Sequence, residues 1–495
     1  MQALSTDERG RSHRLQHLRA FAAISVVLYH ASYYLNGFRG DPRFLAVFGG
    51  YFGAYGVAVF FALSGYLMAE LIRRDTPAKF LVARLARIYP PMLLITGLFV
   101  AVFALLGRAR GVDAIALTLV PVGPRGYFLG IEWTLIYEMT YYVILTLLAL
   151  AGLARYGTVF ALGWLALLVG AWIAGPGRID VSTPILSELP LGIVNLPFVL
   201  GFLIAATARA GRLPGGLWLA AAAFALAAAL ADVAYLRLLT GISASFLVAA
   251  IVQMPAPARS GPFDRLGVRL GDASYVLYLS HVLIFEICLI LLPQGIPTPL
   301  LWCVWVAAAI GLSLPLGSAD LALHRWLKRL IAASTPRRLA WVAGVFILAF
   351  IAIAVIFERQ VRQQRVDRAR AEQAVLTARP GTQPAIRSEI DSVQRRPDGS
   401  WTVRGYGIDL DDPHAVAHIA LVQGGRILVL DRMTRMRTAT ARALGRPDVA
   451  KRRFGFSIDL PPDFDCAGGP VEARLIMADG RMVLATQRPD ATICQ

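Results

Sequence analysis

Two polar residues that could do chemistry interrupt the first apolar stretch of the chain. Arg19 and His30 lie eleven residues apart, which is about three helical turns. Both side chains would therefore share one helix face, about 16–17 Å apart along the axis. Charged groups in a membrane span are costly and usually face a cavity or a partner. The pair indicates a functional face, whereas either residue alone is also typical of a flanking cation or a packing contact.

A second basic motif precedes the third apolar stretch. Arg84 and Arg87 are three positions apart before the sequence Ile-Tyr-Pro, so they share a helix face beneath the membrane. Two guanidinium groups can bind phosphates bidentately, which makes a phosphate-bearing ligand one interpretation. Ordinary positive charge in a cytosolic loop is the other interpretation.

Glu138 is a carboxylate one to two turns from the start of the fourth apolar stretch. His30 is about as far from the corresponding end of the first stretch, so the two side chains are expected to meet at one depth. Such a pair could transfer protons. The structural alternative is a carboxylate that pairs with a neighbouring helix. Trp133, Tyr141 and Tyr142 surround Glu138 in the sequence, and Trp133 by itself would be an ordinary interfacial aromatic residue.

The ninth apolar stretch carries Ser274, Tyr278 and His281 at intervals of four and three residues, beside Tyr275. Helical spacing places the three on one face, which is polar where lipid favours leucine. Interhelical hydrogen bonding and a ligand pocket both explain this face. In the second stretch, the small pair Ser64-Gly65 favours close helix packing.

Membrane helices must position these residues. The 495 residues are 57% hydrophobic and 16% charged, with a mean hydropathy of +0.58. A soluble chain would be roughly a quarter charged. Apolar runs of bilayer-spanning length must be helices, because only helices satisfy their own backbone groups at this length in lipid. The predicted spans are 17–36, 51–72, 90–107, 132–153, 157–174, 190–207, 216–232, 237–254, 271–293, 299–322 and 339–357.

Loop charges predict the orientation of these eleven spans. With the N-terminal segment 1–16 in the cytosol, nineteen Arg and Lys residues lie in cytosolic segments and six or seven in the opposite loops. This bias accounts for most of the net charge of +17 and argues against a nucleic-acid partner. No cleavable signal peptide is apparent. We expect a multi-pass protein of a bacterial inner membrane, with residues 17–330 as the core, 339–357 as an additional span and the C-terminal domain in the periplasm.

The C-terminal part reads as a soluble domain. Residues 358–383 favour a helical stalk, and 384–495 show short alternating runs between turn residues, typical of a small β-sandwich. Cys466 and Cys494 are the two cysteines of this domain, and they are either a disulfide or two free thiols. Neither His414 nor His418 is accompanied by a cluster of metal ligands, and no metal site is expected. A glycan-contacting module and a structural appendage are equally good interpretations.

Together these segments resemble the integral-membrane acyltransferase-three family, the O-acetylases of O-antigen, exopolysaccharide and lipochitooligosaccharide. The resemblance covers about residues 13–330, and five motifs in order at matching spacing make it specific. The motifs are Arg-x10-His (Arg19, His30), Gly-Val-x-Val-Phe-Phe-x-Leu-Ser-Gly-Tyr-Leu (Gly56 to Leu67), Arg84/Arg87 before Ile-Tyr-Pro, Trp133-Thr134-Leu135-x-x-Glu138 with Tyr141-Tyr142, and Gly271-Asp272-Ala273-Ser274-Tyr275-x-x-Tyr278-Leu279-x-His281.

The resemblance implies an all-α polytopic bundle with a ten-helix core, here extended by the eleventh span and the β-rich domain. It also implies a cytosolic acyl-coenzyme A donor, most simply acetyl-coenzyme A, and a glycan acceptor on the outer side of the bilayer. Arg19, Arg84 and Arg87 would contact the donor, His30 would be the catalytic histidine and Glu138 its acidic supporter. The aromatic and polar residues of the same motifs would line the pocket: Trp133, Tyr141, Tyr142, Ser274, Tyr275, Tyr278 and His281. Where many members carry Glu-x-Pro, this chain has Leu321 to Trp326.

Several functional alternatives stay open at the level of sequence. His30 could act as a general base on the sugar hydroxyl or as a nucleophile that carries the acyl group. A transporter or flippase of lipid-linked sugars would also have many spans with intramembrane charges, although transporters often show a repeat with broken helices that this sequence lacks. A glycan sensor is a third interpretation. Other polysaccharide-assembly proteins are candidate partners.

Overall fold

The computed structural model contains a helical unit and a β-rich unit. It describes residues 6–175, 182–254, 261–377, 385–395, 401–412, 416–450, 452–460, 464–479, 481–487 and 493. The chain divides into two compact units, Met1–Arg359 and Gln360–Gln495. The predicted fold class, a helical membrane bundle followed by a small all-β domain, is confirmed.

Twelve helices precede the first strand in the described part of the chain. They are α1 (Thr6–Arg39), α2 (Arg43–Val47), α3 (Gly50–Arg74), α4 (Pro77–Leu105), α5 (Glu132–Leu150), α6 (Gly157–Ala174), α7 (Leu196–Arg209), α8 (Leu217–Leu230), α9 (Val233–Gln253), α10 (Pro262–Leu291), α11 (Thr298–Ala333) and α12 (Pro336–Thr377).

Eight helices of the described chain are long and apolar enough to cross a membrane, and α7 and α8 are shorter apolar helices. Together with α1 they occupy the positions of the eleven predicted spans. Helix α1 is less apolar because its first half carries charged residues and its second half carries Tyr29, His30, Tyr33 and Tyr34. Helix α4 begins well before the predicted third span, so Arg84 and Arg87 belong to a helix that continues through Pro90 and Pro91 rather than to a loop.

Close helix contacts at glycine hold the bundle together. A Cβ atom at Gly65 of α3 would overlap the Phe198 carbonyl oxygen of α7, and one at Gly201 of α7 would overlap the Ala62 carbonyl oxygen of α3. The packing role predicted for Gly65 is therefore confirmed. Gly271 likewise lets α10 approach the backbone of α1 at Gln16. These contacts fix α1, α3 and α10 around the polar residues singled out above.

The second unit is built from two sheets. Its strands are β1 (Ile386–Arg395), β2 (Trp401–Asp409), β3 (Val416–Gln423), β4 (Arg426–Arg432), β5 (Arg435–Met436), β6 (Arg453–Asp459), β7 (Val471–Met477), β8 (Met482–Leu484) and β9 (Thr486–Gln487), with a short helix α13 (Thr438–Ala443) after β5. The strand orders are β5-β6-β2-β1-β9 and β4-β3-β7-β8, antiparallel except for β1 with β9.

The core of this unit lies between the sheets. Side chains such as Val403 and Phe456 of the first sheet pack in one cluster with Ile419 and Leu475 of the second. Strand β3 is buried at consecutive positions, because residues of α12 pack against Ala420 and Val422 on the other face of its sheet. Cys466 is disulfide-bonded, which agrees with one of the two predicted alternatives, whereas Cys494 lies outside the described residues. His414 also lies outside them.

Candidate active site

A cavity lies within the helical unit, among α1, α3, α4, α5 and α10. It encloses about 870 Å³ of empty space, including the space at its opening. Its polar lining comes mainly from the predicted motifs: Arg19, Ser64, Arg84, Arg87, Thr134, Glu138, Tyr142, Tyr275 and Tyr278. Apolar residues of α3, such as Phe60 and Leu67, complete the wall. The sequence motifs thus converge on one cavity.

Three guanidinium groups mark one end of the cavity. Arg84 and Arg87 share a face of α4, and Arg19 reaches the same space from α1. The Nε atom of Arg84 is buried and has no hydrogen-bond acceptor among the described residues. A buried donor of this kind is costly unless a ligand satisfies it. The basic end therefore suits an anionic ligand such as a phosphate.

Asp320 is a functional-site residue that the sequence reasoning missed. Its carboxylate accepts a hydrogen bond from Arg87 Nη1 at 2.6 Å, and its side chain is only 3% exposed. The Arg87 guanidinium also lies 4.9 Å from the ring centre of Tyr275. One signal in the sequence could have identified it. Asp320 is a lone aspartate in the apolar run of α11, immediately before the sequence that departs from the family motif.

Glu138 lies among the arginines. The hydroxyl of Tyr142, one turn further along α5, donates a short hydrogen bond to its carboxylate. Tyr141 is rotated away from this face, and its hydroxyl donates to Asn195 Oδ1 at 2.7 Å while its ring stacks on Phe198. Tyr141, which was predicted to line the pocket, does not line this cavity, because adjacent helical residues point about 100° apart.

The opposite end of the cavity is closed by a hydrogen bond between α5 and α10. Thr134 Oγ1 and the Tyr278 hydroxyl are 2.6 Å apart, and the ring of Phe60 lies edge-on to Tyr278. Tyr278 lines the cavity, whereas His30 and His281 lie beyond it. A continuous conduit from Arg19 to His30 was expected, but His30 is not among the residues that line this cavity.

His30 is paired with His281 rather than with Glu138. His30 Nδ1 and His281 Nε2 are 2.8 Å apart, and the two rings stack with their centres 5.0 Å apart. His281 is fully buried, and its Nδ1 lies 3.1 Å from the Leu277 carbonyl oxygen. The predicted pairing of His30 with Glu138 is not formed in the described chain.

Helix geometry explains this correction. Glu138 lies four residues from Thr134 on the side of the arginines, which is about 6 Å along the axis. His281 lies three residues from Tyr278 on the opposite side, which is about 4–5 Å. The Thr134–Tyr278 hydrogen bond therefore separates the carboxylate from the imidazole by roughly 10 Å along the bundle, and the two side chains do not share one depth.

The hydrogen bonds determine where the protons of the two imidazoles lie. A carbonyl oxygen can only accept, so the proton of neutral His281 is on Nδ1, which donates to Leu277. Its Nε2 must then accept from His30 Nδ1. Neutral His30 consequently carries its proton on Nδ1 and has an unprotonated Nε2. This tautomer is the one that a base or nucleophile acting through Nε2 requires.

The remaining predicted pocket residues have packing contacts. Ser274 is fully buried, and its hydroxyl donates to the Gly271 carbonyl oxygen within α10. The ring of Trp133 lies edge-on to Tyr137 and 5.3 Å from the Arg237 guanidinium. Neither Ser274 nor Trp133 lines the cavity. In the described part of the chain, no group of three or more His, Cys, Asp or Glu side chains could hold a metal ion.

Comparisons with known proteins agree with the motifs. A family model described as an acyltransferase domain matches residues 12–318. Nodulation protein 10 of Rhizobium leguminosarum bv. viciae is 28% identical over 359 residues, which cover 65% of this chain and 93% of that protein. The exopolysaccharide production protein ExoZ of Rhizobium meliloti (strain 1021) is 28% identical over 317 residues, or 58% and 95% of the two chains. No solved structure matches the chain.

Proposed function

Because the chain belongs to the acyltransferase family whose model matches residues 12–318, we propose that it transfers an acyl group, most simply acetyl, from coenzyme A to a hydroxyl of an exported glycan. The relatives named for exopolysaccharide production and nodulation support a saccharide acceptor. We place the protein in the inner membrane, with the arginine end of the cavity toward the cytosol and the β-rich unit in the periplasm. The loop charges support this orientation.

The cavity fits the phosphates of coenzyme A at its basic end. Of the three arginines, Arg87 is neutralised by Asp320, and Glu138 lies beside the other two. Arg84 keeps a buried Nε that has no hydrogen-bond acceptor among the described residues. The thioester supplies an activated acyl group. Arg84 and Arg19 hold the phosphates, and Glu138 keeps the arginines extended into the cavity rather than toward each other.

The hydrogen bond from His30 to His281 is the observation that carries the catalytic assignment. His30 Nε2 accepts the proton of the acceptor hydroxyl as its oxygen attacks the acyl carbon, and the imidazolium returns a proton to the leaving sulfur. His281 positions the imidazole and fixes its tautomer, which is the role first given to Glu138. The same Nε2 could attack the acyl carbon directly. Radiolabelled acyl-enzyme trapped without acceptor would support that second route.

The Thr134–Tyr278 contact must open for the acyl group to reach His30. Phe60 and Tyr278 stand between the cavity and the histidine pair, since both line its closed end. We therefore propose that donor binding displaces the Tyr278 ring. Tyr278→Phe removes the hydrogen bond to Thr134 but keeps the ring, so it should leave the donor KM nearly unchanged and raise or preserve kcat.

Mass analysis of surface polysaccharide tests the function against the transporter alternative. Cells with His30→Ala should export normal amounts of polymer that lacks the O-acyl group, at normal levels of the membrane protein. If export failed while the residual polymer stayed acylated, the chain would be a transporter. A glycan sensor would leave the polymer unchanged and show no acyl transfer from acetyl-coenzyme A by the purified protein.

A further inference from the structure

A groove in the β-rich unit has no part in the proposed acyl transfer. The last turns of α12 lie across the four-stranded sheet, where Ala371 and Val375 pack against Ala420 and Leu430. Beside this contact, a groove encloses about 1540 Å³ of empty space, including its open mouth. We name it the stalk groove. Its charged residues and its histidine are Asp367, Arg370, His418, Arg432, Arg453 and Asp479, and the uncharged polar side chains of Gln373 and Thr377 also line it.

The charges of the stalk groove leave an excess of cations. Arg432 pairs with Asp367 at 3.2 Å, and Asp479 pairs with Arg481 at 2.5 Å, so each carboxylate has its own guanidinium. Arg370 and Arg453 are exposed, and no hydrogen bond or ion pair joins either guanidinium group to another described residue. Two guanidinium groups without carboxylates of their own suit a ligand with repeated negative charges.

A buried histidine faces the same space. His418 of β3 is only 5% exposed, and its Nε2 has no hydrogen-bond partner among the residues that the structure describes. Burial, and next the Arg432 charge, lower the pKa of this imidazole, which therefore stays neutral at neutral pH. Buried polar atoms nearly always have a hydrogen-bond partner, so a ligand or a water molecule is expected at this imidazole nitrogen. A hydroxyl group could satisfy it as donor or as acceptor.

We infer that the stalk groove is a binding site for an acidic saccharide, in which the guanidinium groups of Arg370 and Arg453 bind sugar carboxylates and His418 Nε2 bonds a sugar hydroxyl. Val416, Met433 and Ile476 supply apolar contacts for the ring faces. A phosphatidylglycerol headgroup carries a single anion, whereas an acidic saccharide brings repeated carboxylates together with hydroxyl groups that His418 and the Arg432–Asp367 pair can bond. The site goes beyond the proposed acyl transfer and does not depend on the identity of its catalytic residues.

Calorimetric titration of the full-length protein in detergent micelles tests the site. The probe is an oligogalacturonate, and the reference is a neutral glucan oligosaccharide of equal length. The oligogalacturonate should bind, with an affinity that falls as salt rises because exposed charges are screened. The neutral oligosaccharide should bind at least tenfold more weakly. Equal binding of the two would overturn the inference.

Matched variants locate the binding. Arg370→Gln with Arg453→Gln should weaken oligogalacturonate binding at least tenfold, whereas Arg426→Gln with Arg442→Gln removes the same charge outside the groove and should change nothing. His418→Leu should also weaken binding while the domain stays folded, because leucine tolerates burial.

Acyl transfer to a short glycan acceptor should be unchanged in the groove variants. The binding assay therefore tests the groove, and the transfer assay tests the catalytic proposal, independently of each other. If the groove and control double variants lost the same affinity for the oligogalacturonate, the net charge of the domain alone would explain binding. The inference of a site in the groove would then be wrong. If vesicles with anionic phospholipid bound through the same residues and the oligosaccharide did not, the groove would be a lipid site and the inference would be wrong.

Discussion

Replacement of His281 separates the positioning of the His30 imidazole from the chemistry proposed for it. His281 Nε2 accepts the hydrogen bond that keeps the proton of His30 on Nδ1. Leucine at this position fills a similar volume without an acceptor. Glutamine offers a carbonyl oxygen that can accept from His30 Nδ1. We expect His281→Leu to lower kcat and His281→Gln to recover a good part of the loss.

The size of the effect follows from the one hydrogen bond that is lost. A hydrogen bond of this kind contributes about 0.5–1.5 kcal/mol net, and about 1.4 kcal/mol corresponds to a tenfold change in population. The productive tautomer and orientation of His30 should therefore become two- to tenfold less populated, which gives an expected fall in kcat of about two- to tenfold. Loss of the base itself in His30→Ala should cost about 10²–10⁴.

Steady-state kinetics of the purified protein provide the assay. Because His281 does not line the cavity, the KM for the acyl donor should stay within about twofold in all three variants, while kcat falls in the order His281→Gln, His281→Leu, His30→Ala. If His281 had only a structural role, its replacement would lower the amount of folded protein, and the folded fraction would keep the wild-type kcat. Equal kcat values for the glutamine and leucine variants would refute the tautomer argument.

Three further outcomes are expected. Arg87→Met should reduce the yield of folded protein by leaving Asp320 as an uncompensated buried charge, and adding Asp320→Leu should restore the yield, checked by thermal unfolding, but not the donor KM. Gly201→Ala should destabilise the protein because its Cβ would overlap a carbonyl oxygen, whereas Gly97→Ala, with open space around it, should leave the Tm equal or higher. Cys466→Ser should lower the free energy of unfolding of the β-rich unit by about 2–5 kcal/mol, measured by denaturant titration with and without reductant; equal stability in both conditions would contradict this.

The sequence was sufficient to predict the architecture because lipid leaves few choices. A run of about 20 apolar residues must be a helix, so hydropathy located each apolar helix, although α1, α4, α10, α11 and α12 extend well beyond the predicted spans. Alternation with period two between turn residues likewise predicted the β-rich unit. The parallel pairing of β1 with β9 was not foreseen, because strand order depends on contacts between distant segments that local patterns do not encode.

The sequence identified several residues of the site but not the residues with which they pair. Arg19, Arg84, Arg87 and Glu138 line one cavity as expected, because costly polar groups in a membrane must face one another. The pairing of His30 with Glu138 failed because depth was counted from predicted helix ends. Helix α1 continues nine residues beyond His30 to Arg39, whereas Glu138 is six residues inside α5, so equal counts did not mean equal depth.

His281 and Asp320 show what such reasoning leaves out. Helical spacing placed His281 on a polar face, but the rotation of α10 against α1 decides whether that face meets a ligand or the catalytic imidazole. Asp320 was overlooked as one charge in a long apolar helix, although a cation from another helix, Arg87, compensates it. In both cases the missing information was the pairing of helices, which glycine contacts such as that of Gly271 determine.

Transfer of a radiolabelled acetyl group from acetyl-coenzyme A to a glycan acceptor by the purified protein is the most direct measurement of the central claim. Wild-type protein should label the acceptor, and equally folded His30→Ala protein should do so at least about 10²-fold more slowly while it still binds the donor. Labelling at the wild-type rate by His30→Ala would contradict the account.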